Sequence, residues 1–191
     1  MLTFNFTPFP ELRTTRLRLR AAQPADAPAL LPLRSDPRVI RYLDREPSQS
    51  VAEVTALIER MQQDAAANRS INWLLTPPED EGPVLGYIGF WSTKPEHHRA
   101  EVGYVLHPDH WGQGLMSEAL AAVLHFGFHT MRLHSVEANV NPHNQASIRL
   151  LEQHGFVREA YFRQDYYFRG QFLDSAIYSL LTPLAAAPPV S

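Results

Sequence analysis

A glycine turn in the middle of the chain carries the residues best suited to chemistry. Gly112 and Gly114 follow an apolar run, Val102–Leu106, and precede apolar residues with helical spacing, namely Leu120, Val123, Leu124 and Phe128. This pattern predicts a strand, a tight turn and a helix. The first amides of such a helix have no partners within it, and the helix dipole adds partial positive charge there. The turn is therefore expected to bind an anion, most simply a phosphate.

The turn does not match the two common phosphate-binding motifs. A P-loop needs Gly-Lys-Ser or Gly-Lys-Thr at the end of the turn, where this chain has Gly114-Leu115-Met116. The dinucleotide fingerprint needs a third glycine at a fixed spacing, and the chain has none there. On the glycines alone, an ordinary helix start is as good an interpretation as a binding loop.

A second motif follows the predicted helix. An apolar segment, Leu133–Asn139, precedes a helix that opens near Asn144 and ends at Gly155. Three stretches together resemble the GNAT acyl-CoA-dependent N-acetyltransferases: Glu101-Val102-Gly103-Tyr104, the Trp-Gly-Gln-Gly turn, and Asn-Gln-Ala-Ser with the later Gly-Phe. Within these enzymes the chain resembles the Rim-type ribosomal-protein N-terminal acetyltransferase branch, from about Arg13 to Leu181.

The resemblance implies both a fold and an activity. The fold class is α+β (mixed α/β), the GNAT acyl-CoA N-acyltransferase fold, with a mostly antiparallel central sheet and helices on both faces. The implied activity moves an acetyl group from acetyl-CoA, as cosubstrate, to a primary amine, either a protein N-terminus or a small-molecule amine. Direct attack in a ternary complex is expected, because the chain has no cysteine to form an acetyl-enzyme.

Cofactor-binding residues are implied by the same resemblance. The pyrophosphate is expected on the amides of the turn and the first helical residues, and the pantetheine arm beside the strand end at Val105 and Leu106. Asn144 is expected near the cofactor, while an N-cap of the next helix is an equally good interpretation. The amides expected to hold the pyrophosphate are those of Gly112, Gln113, Gly114, Leu115, Met116 and Ser117.

Ser147 is the predicted proton donor to the leaving thiolate. Many GNAT enzymes place a tyrosine seven residues after the asparagine, but this chain has Leu151 there. The resemblance to the Rim-type branch implies that Ser147, three residues after Asn144, takes that role. An ordinary serine in the first turn of a helix is the alternative interpretation. Trp111, where the family usually has Arg or Gln, is predicted to pack on the surface.

The resemblance implies Glu101 as the general base, acting directly or through water, because the family often holds its base at this strand start. A carboxylate that titrates near ~4.3 is a poor base unless it is desolvated or relayed. A solvated charge at the strand end is the alternative interpretation. Asp165 and Tyr166 are other candidates for the base. Tyr104 could line the cleft, although core packing is the favoured interpretation.

A competing hypothesis is a non-catalytic acyl-CoA-binding or sensing module. The leucine at position 151 is its best support, because the commonest thiolate protonator of the family is absent. A nucleotide-phosphate hydrolase is disfavoured, since the chain lacks the lysine and the metal ligands of such enzymes. His125 and His129 are one helical turn apart, but no third ligand is placed by the sequence, so no metal site is predicted.

Composition limits the partners. The formal net charge is −3 and there is no basic block, so neither nucleic acid nor an anionic membrane is expected to bind. No apolar run approaches the ~20 residues of a membrane span. With no cysteine, the chain has no disulfide, and a cytoplasmic location is expected. A homodimer is expected from the resemblance.

The elements that position these residues are predicted from periodicity and capping. One domain is expected over residues 1–184, with a disordered tail over 185–191. Pro32 is expected to kink or end the first helix. Predicted helices are Ala25–Leu33, a short one after Asp36, Val51 to about Ala66, Ser117–Met131, and one from Asn144 to Gly155. Predicted strands are Arg16–Arg20, Ile71–Thr76, Val84–Ser92, Ala100–Leu106, Leu133–Asn139, Phe156–Phe168 and Leu173–Leu181.

Overall fold

The computed structural model describes residues 1–43, 45–79 and 82–184, so the tail predicted to be disordered lies outside the described residues. No helix within these ranges is long and apolar enough to cross a membrane. The helices are α1 (Ala27–Ser35), α2 (Pro37–Ile40), α3 (Val51–Ala66), α4 (Leu115–His129) and α5 (Gln145–Gln153). The strands are β1 (Leu12–Arg13), β2 (Arg18–Arg20), β3 (Ile71–Thr76), β4 (Gly86–Lys94), β5 (Arg99–Leu106), β6 (Ser135–Val140), β7 (Val157–Phe168) and β8 (Gln171–Leu181).

The strands form an eight-stranded sheet in the order β1-β2-β3-β4-β5-β6-β8-β7. Each neighbouring pair runs antiparallel except β5 and β6, which run parallel. A parallel pair needs a crossover connection, and α4 supplies it between these two strands. The predicted fold class, a mixed α/β chain with a mostly antiparallel sheet, is confirmed.

The parallel pair separates almost as soon as it forms. Arg99–Glu101 of β5 pair with Ser135–Glu137 of β6, and no later residue of β5 pairs with β6. Val102–Leu106 nevertheless stay paired with β4 on the other side. The inner edge of β5 is therefore left without a neighbouring strand, and the sheet opens at its centre.

Helices cover both faces of the sheet, as predicted. On one face, α1 and α3 pack their apolar residues, such as Leu30 and Ile58, against a cluster that includes Tyr87 and Val105. On the other face, α4 and Leu151 of α5 belong to the larger cluster. Because side chains alternate along a strand, Val105 places Glu101 and Gly103 on the α1–α3 face. Val102 and Tyr104 pack on the α4–α5 face.

Local capping explains the helix starts that the sequence predicted. Asp36 accepts a bond from the amide of Arg38 at 2.8 Å, which begins α2 at the proline that follows. Ser50 accepts from the amide of Glu53 at 3.3 Å, and α3 spans Val51–Ala66. Pro32 does not end the first helix, which was one of the two expected outcomes: α1 continues through Pro32 to Ser35. Leu30 and Leu33 are buried on either side of the proline, so packing holds this turn helical.

Candidate active site

The glycine turn adopts a backbone conformation that favours glycine. Gly112 and Gly114 have φ angles of 73° and 75°, in the left-handed region that side chains with a Cβ rarely adopt. Nothing lies within 4 Å of the point that a Cβ on Gly112 would occupy, so the surface of the turn is open. Gly114 is the N-cap of α4 and supplies no side-chain cap. The amides at the start of the helix are therefore left for another acceptor.

Six successive amides are free at this turn. The preceding amide, of Trp111, donates to Pro108, and the first helical amide to find a partner is that of Glu118, which donates to Gly114 at 3.1 Å. Between them, within the described residues, no amide donates to an oxygen of the chain. These are the amides of Gly112, Gln113, Gly114, Leu115, Met116 and Ser117. Unpaired amides at a helix start are the arrangement that a phosphate needs.

Arg16 and Glu118 hold the turn against the β1–β2 hairpin. The Arg16 Nη1 donates to the Gln113 carbonyl at 2.8 Å, and its Nε pairs with Glu118 Oε2 at 2.7 Å. Burial raises the pKa of Glu118, but bonds from Thr14 and Arg16 outweigh this effect and lower it. Sequence reasoning placed Arg16 in a strand. The chain instead bends there, and the bend presents the guanidinium to the turn.

Two further contacts fix the surroundings of the turn. The Trp111 indole is half exposed and donates from Nε1 to the Leu106 carbonyl at 2.8 Å, which ties the turn to the end of β5. Ser117 Oγ lies 2.8 Å from Nε2 of His154, at the end of α5. Burial lowers the pKa of His154, so its ring is neutral near pH 7. Trp111 thus packs on the surface, as the sequence suggested.

A cleft of about 340 Å³ lies where β5 and β6 separate. Its lining includes residues from both faces of the sheet, so it passes through the opening rather than lying on one side. Among the predicted site residues it brings together Glu101, Val105, Asn144, Ser147 and Tyr166. Leu106, the residues of the glycine turn and Asp165 are not part of its lining.

The Asp165 carboxylate is engaged elsewhere. Its Oδ2 accepts a 2.6 Å hydrogen bond from Ser175 Oγ on the neighbouring strand β8. Of the two alternative bases that the sequence suggested, only Tyr166 lines the cleft.

Ser147 is held from two directions. Its amide donates to Asn144 Oδ1 at 3.1 Å, so Asn144 is the N-cap of α5. Its hydroxyl shares a 2.7 Å hydrogen bond with the Tyr104 hydroxyl. Burial raises the pKa of Tyr104 to about 12, which the bond from Ser147 only partly offsets, so the phenol stays protonated at neutral pH.

The sequence offered two interpretations of Tyr104, core packing and a place in the cleft lining, and core packing was favoured. Tyr104 packs against the larger core cluster and also lines the cleft, and its hydroxyl bonds to Ser147. The signal was strand alternation: Tyr104 lies on the face opposite Glu101 and Val105. Leu151 is fully buried in the same core, away from the cleft lining.

Glu101 lines the cleft beside a second carboxylate. In the register of the parallel pair it stands opposite Glu137, whose Oε2 accepts a 2.5 Å bond from Arg99. Burial raises the pKa of Glu101, and repulsion from Glu137 raises it further, while Lys94 acts in the opposite direction. A carboxylate with a raised pKa holds a proton more readily than an ordinary glutamate, which makes it a stronger base.

A β-bulge turns Trp91 into the cleft. The register between β4 and β5 shifts between Phe90 and Ser92, so Trp91 is the extra residue on β4. Its indole covers Gly103: a Cβ there would lie 2.0 Å from Trp91 Nε1. Trp91 also meets Tyr87 edge to face, with ring centroids 6.2 Å apart. This wall of the cleft is therefore aromatic.

The two histidines at helical spacing on α4 stack on each other. Their ring centroids are 4.1 Å apart, and His129 Nδ1 lies 3.1 Å from the His125 carbonyl. In the part of the chain that the structure describes, no group of three or more His, Cys, Asp or Glu residues is arranged to hold a metal ion.

Comparison with known proteins identifies the family. A family model described as an acetyltransferase (GNAT) domain matches residues 16–157. The chain is 35% identical over 175 residues to the uncharacterized N-acetyltransferase YoaA of Bacillus subtilis (strain 168). The alignment covers 92% of this chain and 98% of that relative. A solved acetyltransferase of the GNAT family from Bacillus anthracis superposes with a TM-score of 0.79 at 26% identity, over 90% of this chain and 98% of that one.

The fold also matches RimL, the ribosomal L7/L12 alpha-N-protein acetyltransferase solved with coenzyme A. The TM-score is 0.82 at 24% identity, over 91% of this chain and 98% of that one. At this identity the likeness shows the fold alone. The family match and the full-length relative carry the assignment: the chain belongs to the GNAT acetyltransferase family and is an acetyl-CoA-dependent N-acetyltransferase.

Proposed function

We propose that the protein transfers the acetyl group of acetyl-CoA to a primary amine by direct attack in a ternary complex. The observation that carries this proposal is the cleft through the sheet. It joins Glu101, on the α1–α3 face, to the bonded pair Tyr104 and Ser147, on the α4–α5 face. The proposed proton acceptor and proton donor thus line one opening, on opposite faces of the sheet.

Glu101 is the proposed proton acceptor for the attacking amine. A free α-amine has a pKa near ~8, so only a modest fraction is unprotonated at neutral pH. A carboxylate with a raised pKa takes up the proton as the amine attacks, directly or through a water molecule. Burial beside Glu137 gives Glu101 this property.

Ser147 is the proposed proton donor to the departing thiolate. Its position beside Tyr104 supports this role, because a protonated phenol polarises the serine hydroxyl and can replace its proton. Acetyl-CoA supplies the acetyl group and a thiolate whose conjugate thiol has a pKa of about 8.5. A neighbouring hydroxyl is a sufficient donor for such a leaving group.

The residues at the glycine turn fit the cosubstrate. Six free amides and the nearby Arg16 guanidinium offer donors and positive charge to a diphosphate, and we propose that they hold it. The unpaired edge of β5 at Val105 and Leu106 offers backbone groups to the amides of the pantetheine arm. The Leu106 carbonyl already accepts from Trp111, so further pairing there uses the Leu106 amide or the second lone pair of the carbonyl.

The acceptor is a protein N-terminus or a small-molecule amine. RimL, whose fold this chain shares, acts on a protein α-amine. We also propose a homodimer, which would cover exposed apolar residues on the β7–β8 hairpin, among them Phe162 and Phe172. A single domain over 1–184 and a cytoplasmic location complete the proposal.

Thiol release tests the activity. The protein is mixed with acetyl-CoA and a panel of amines, and free CoA thiol is measured with the Glu101→Gln and Ser147→Ala variants alongside. Turnover that both variants reduce at least tenfold supports the proposal. Tight binding of acetyl-CoA without turnover on any amine would favour the sensing module, a function in keeping with the leucine at position 151.

A further inference from the structure

One charged side chain of the cleft has no role in the proposed chemistry. Arg45 lies between α2 and α3, is itself in neither a helix nor a strand, and lines the cleft together with Tyr42 and Tyr87. Its Nε and Nη2 are shielded from solvent and find no hydrogen-bond acceptor among the described residues. A buried guanidinium with two unpaired donors is costly, so such groups are normally found with an anion.

The two unpaired donors form the edge of the guanidinium that holds carboxylates elsewhere in this molecule. Arg169 uses its Nε and Nη2 for Glu46, at 3.0 and 2.5 Å. Arg38 uses the same two nitrogens for Asp36, at 3.1 and 2.6 Å. This edge matches the two oxygens of a carboxylate. Arg45 lines the cleft, and its Nε–Nη2 edge has no partner among the described residues.

A second arginine increases the positive charge there. Arg34 donates from Nε to Ser48 Oγ at 3.0 Å and from Nη1 to the Tyr87 hydroxyl at 3.5 Å. Burial lowers the pKa of Arg34, and the charge of Arg45 lowers it further. Within the described residues neither arginine belongs to an ion pair. Glu101 lines the same cleft, but the charges that act on its carboxylate are those of Glu137 and Lys94.

We infer that the amine acceptor also carries a carboxylate, which binds the Nε–Nη2 edge of Arg45 while its amine faces Glu101. This inference rests on the proposed function and deepens it. It favours amino-acid-like acceptors over polyamines, because a second cation on the acceptor would be repelled by Arg45 and Arg34. The acceptor reaches this edge by a rotation of the Arg45 side chain, whose backbone belongs to no helix or strand.

Matched acceptors test the inference. For several side chains, the free amino acid is compared with its carboxamide and its decarboxylated amine, and kcat/KM is measured by thiol release. Amidated dipeptides with an acidic second residue test whether a side-chain carboxylate serves as well. The carboxylate-bearing acceptors are expected to be preferred roughly 10- to 100-fold, the range for a charge-assisted bidentate contact.

Variants at Arg45 assign that preference to its side chain. Arg45→Gln is expected to remove it through a higher KM for carboxylates, with the carboxamides unaffected, and Arg45→Lys is expected to restore part of it. Arg69→Gln is the matched control, because Arg69 is exposed and pairs with Asp64 at the end of α3. Equal use of carboxylates and carboxamides, or a preference that survives Arg45→Gln, would overturn the inference.

A binding measurement separates this inference from the proposed function. N-acetyl amino acids are titrated calorimetrically into the wild type and Arg45→Gln with CoA present. Binding that needs Arg45 supports the inference even if no amine is acetylated, in which case only the transfer proposal fails. No binding by the wild type, or a loss of CoA affinity in Arg45→Gln that would assign Arg45 to the cosubstrate, overturns the inference.

Discussion

At the scale of single residues, the proposed chemistry depends on the hydroxyls of Tyr104 and Ser147 and on the carboxylate of Glu101. The Tyr104 phenol is protonated at neutral pH and bonded to Ser147. The Glu101 carboxyl has a raised pKa because it is buried beside Glu137. The phenol can supply a proton, and a carboxylate with a raised pKa binds a proton more readily than an ordinary glutamate, as the proposed roles require.

Replacing Tyr104 with Phe tests the hydroxyl pair. The ring and its packing stay, but Ser147 loses its neighbour, so we expect kcat to fall about tenfold. The KM for acetyl-CoA is expected to stay within about twofold. Steady-state kinetics measure kcat and KM, and the control is Tyr167→Phe, which changes an exposed tyrosine on β7. Unchanged kcat in Tyr104→Phe would assign the tyrosine to packing alone.

The acidity of Glu101 is expected to depend on Glu137. In Glu137→Gln the repulsion is lost, so the pKa of Glu101 falls toward that of an ordinary glutamate, near ~4.3. Carbon-13 NMR titration of the side-chain carboxyls measures this, with the Glu101 signal assigned from Glu101→Gln. The fall of kcat at low pH, which is expected where Glu101 becomes protonated, should move to lower pH in the same variant. A pKa that rises or does not move would remove Glu137 as a cause, and Glu59→Gln on α3 is the control.

At the scale of elements, short contacts between secondary structures shape both halves of the site. Arg16 and Glu118 join the β1–β2 hairpin to the start of α4. The bulge on β4 places Trp91 over Gly103 of β5. Each contact joins a residue next to the site in sequence to a residue of another secondary-structure element.

Removing the Arg16 side chain should weaken cosubstrate binding. Arg16→Met loses the bond to the Gln113 carbonyl and a positive charge beside the turn, so the Kd for CoA is expected to rise about 5- to 20-fold. Titration calorimetry measures it. Arg13→Met is the matched control, because Arg13 belongs to the same hairpin and bonds to the Pro78 carbonyl at 3.4 Å. Equal effects of both substitutions would point to the hairpin as a whole.

Adding a methyl group at Gly103 should displace Trp91 and change the cleft. Gly103→Ala puts a Cβ where the indole lies, a form of overpacking that costs about 1–3 kcal/mol. We expect a lower melting temperature and a reduced kcat/KM for the amine. Adding Trp91→Ala to Gly103→Ala removes this clash, so the double variant should regain melting temperature. Adding Trp91→Ala to Gly86→Ala is the control and should restore less, because a Cβ at Gly86 meets the Val105 backbone instead. A fully active, fully stable Gly103→Ala would contradict the packing described.

At the scale of the whole molecule, periodicity and capping predicted most elements. Ile71–Thr76 of β3 and Val51–Ala66 of α3 have the predicted bounds, because strong apolar runs and a capping serine are local signals. The strand β1 was missed, since two residues carry no periodicity. The separation of β5 from β6 could not be predicted, because pairing is decided by residues far apart in sequence.

The candidate site was predictable to a similar degree. The glycine turn, Glu101 and Ser147 come from motifs that are local in sequence, and their roles stay predictions until they are tested. The bond between Tyr104 and Ser147 and the place of Arg45 in the cleft lining were missed for a physical reason. Their chemical surroundings come from α5 and from β4, and no local pattern reports which polar atoms meet across the fold.

Cosubstrate binding should stabilise the whole protein. A ligand at a hundred times its Kd adds about 2.7 kcal/mol to the free energy of unfolding. For a chain of this size, that raises the melting temperature by roughly 5–10 °C. Scanning calorimetry with CoA measures the shift, and pantetheine, which lacks the diphosphate, serves as the comparison. An equal shift with pantetheine would mean that the free amides of the turn contribute little.

The opening between β5 and β6 also bears on aggregation. An unpaired strand edge normally attracts strands from other chains. Here that edge lies in the middle of the sheet, with β6 facing it and helices on both faces. A slender molecule can reach its backbone groups, but another polypeptide strand in a sheet cannot. The protein can therefore leave a strand edge unpaired for a ligand without offering that edge to other protein molecules in a crowded solution.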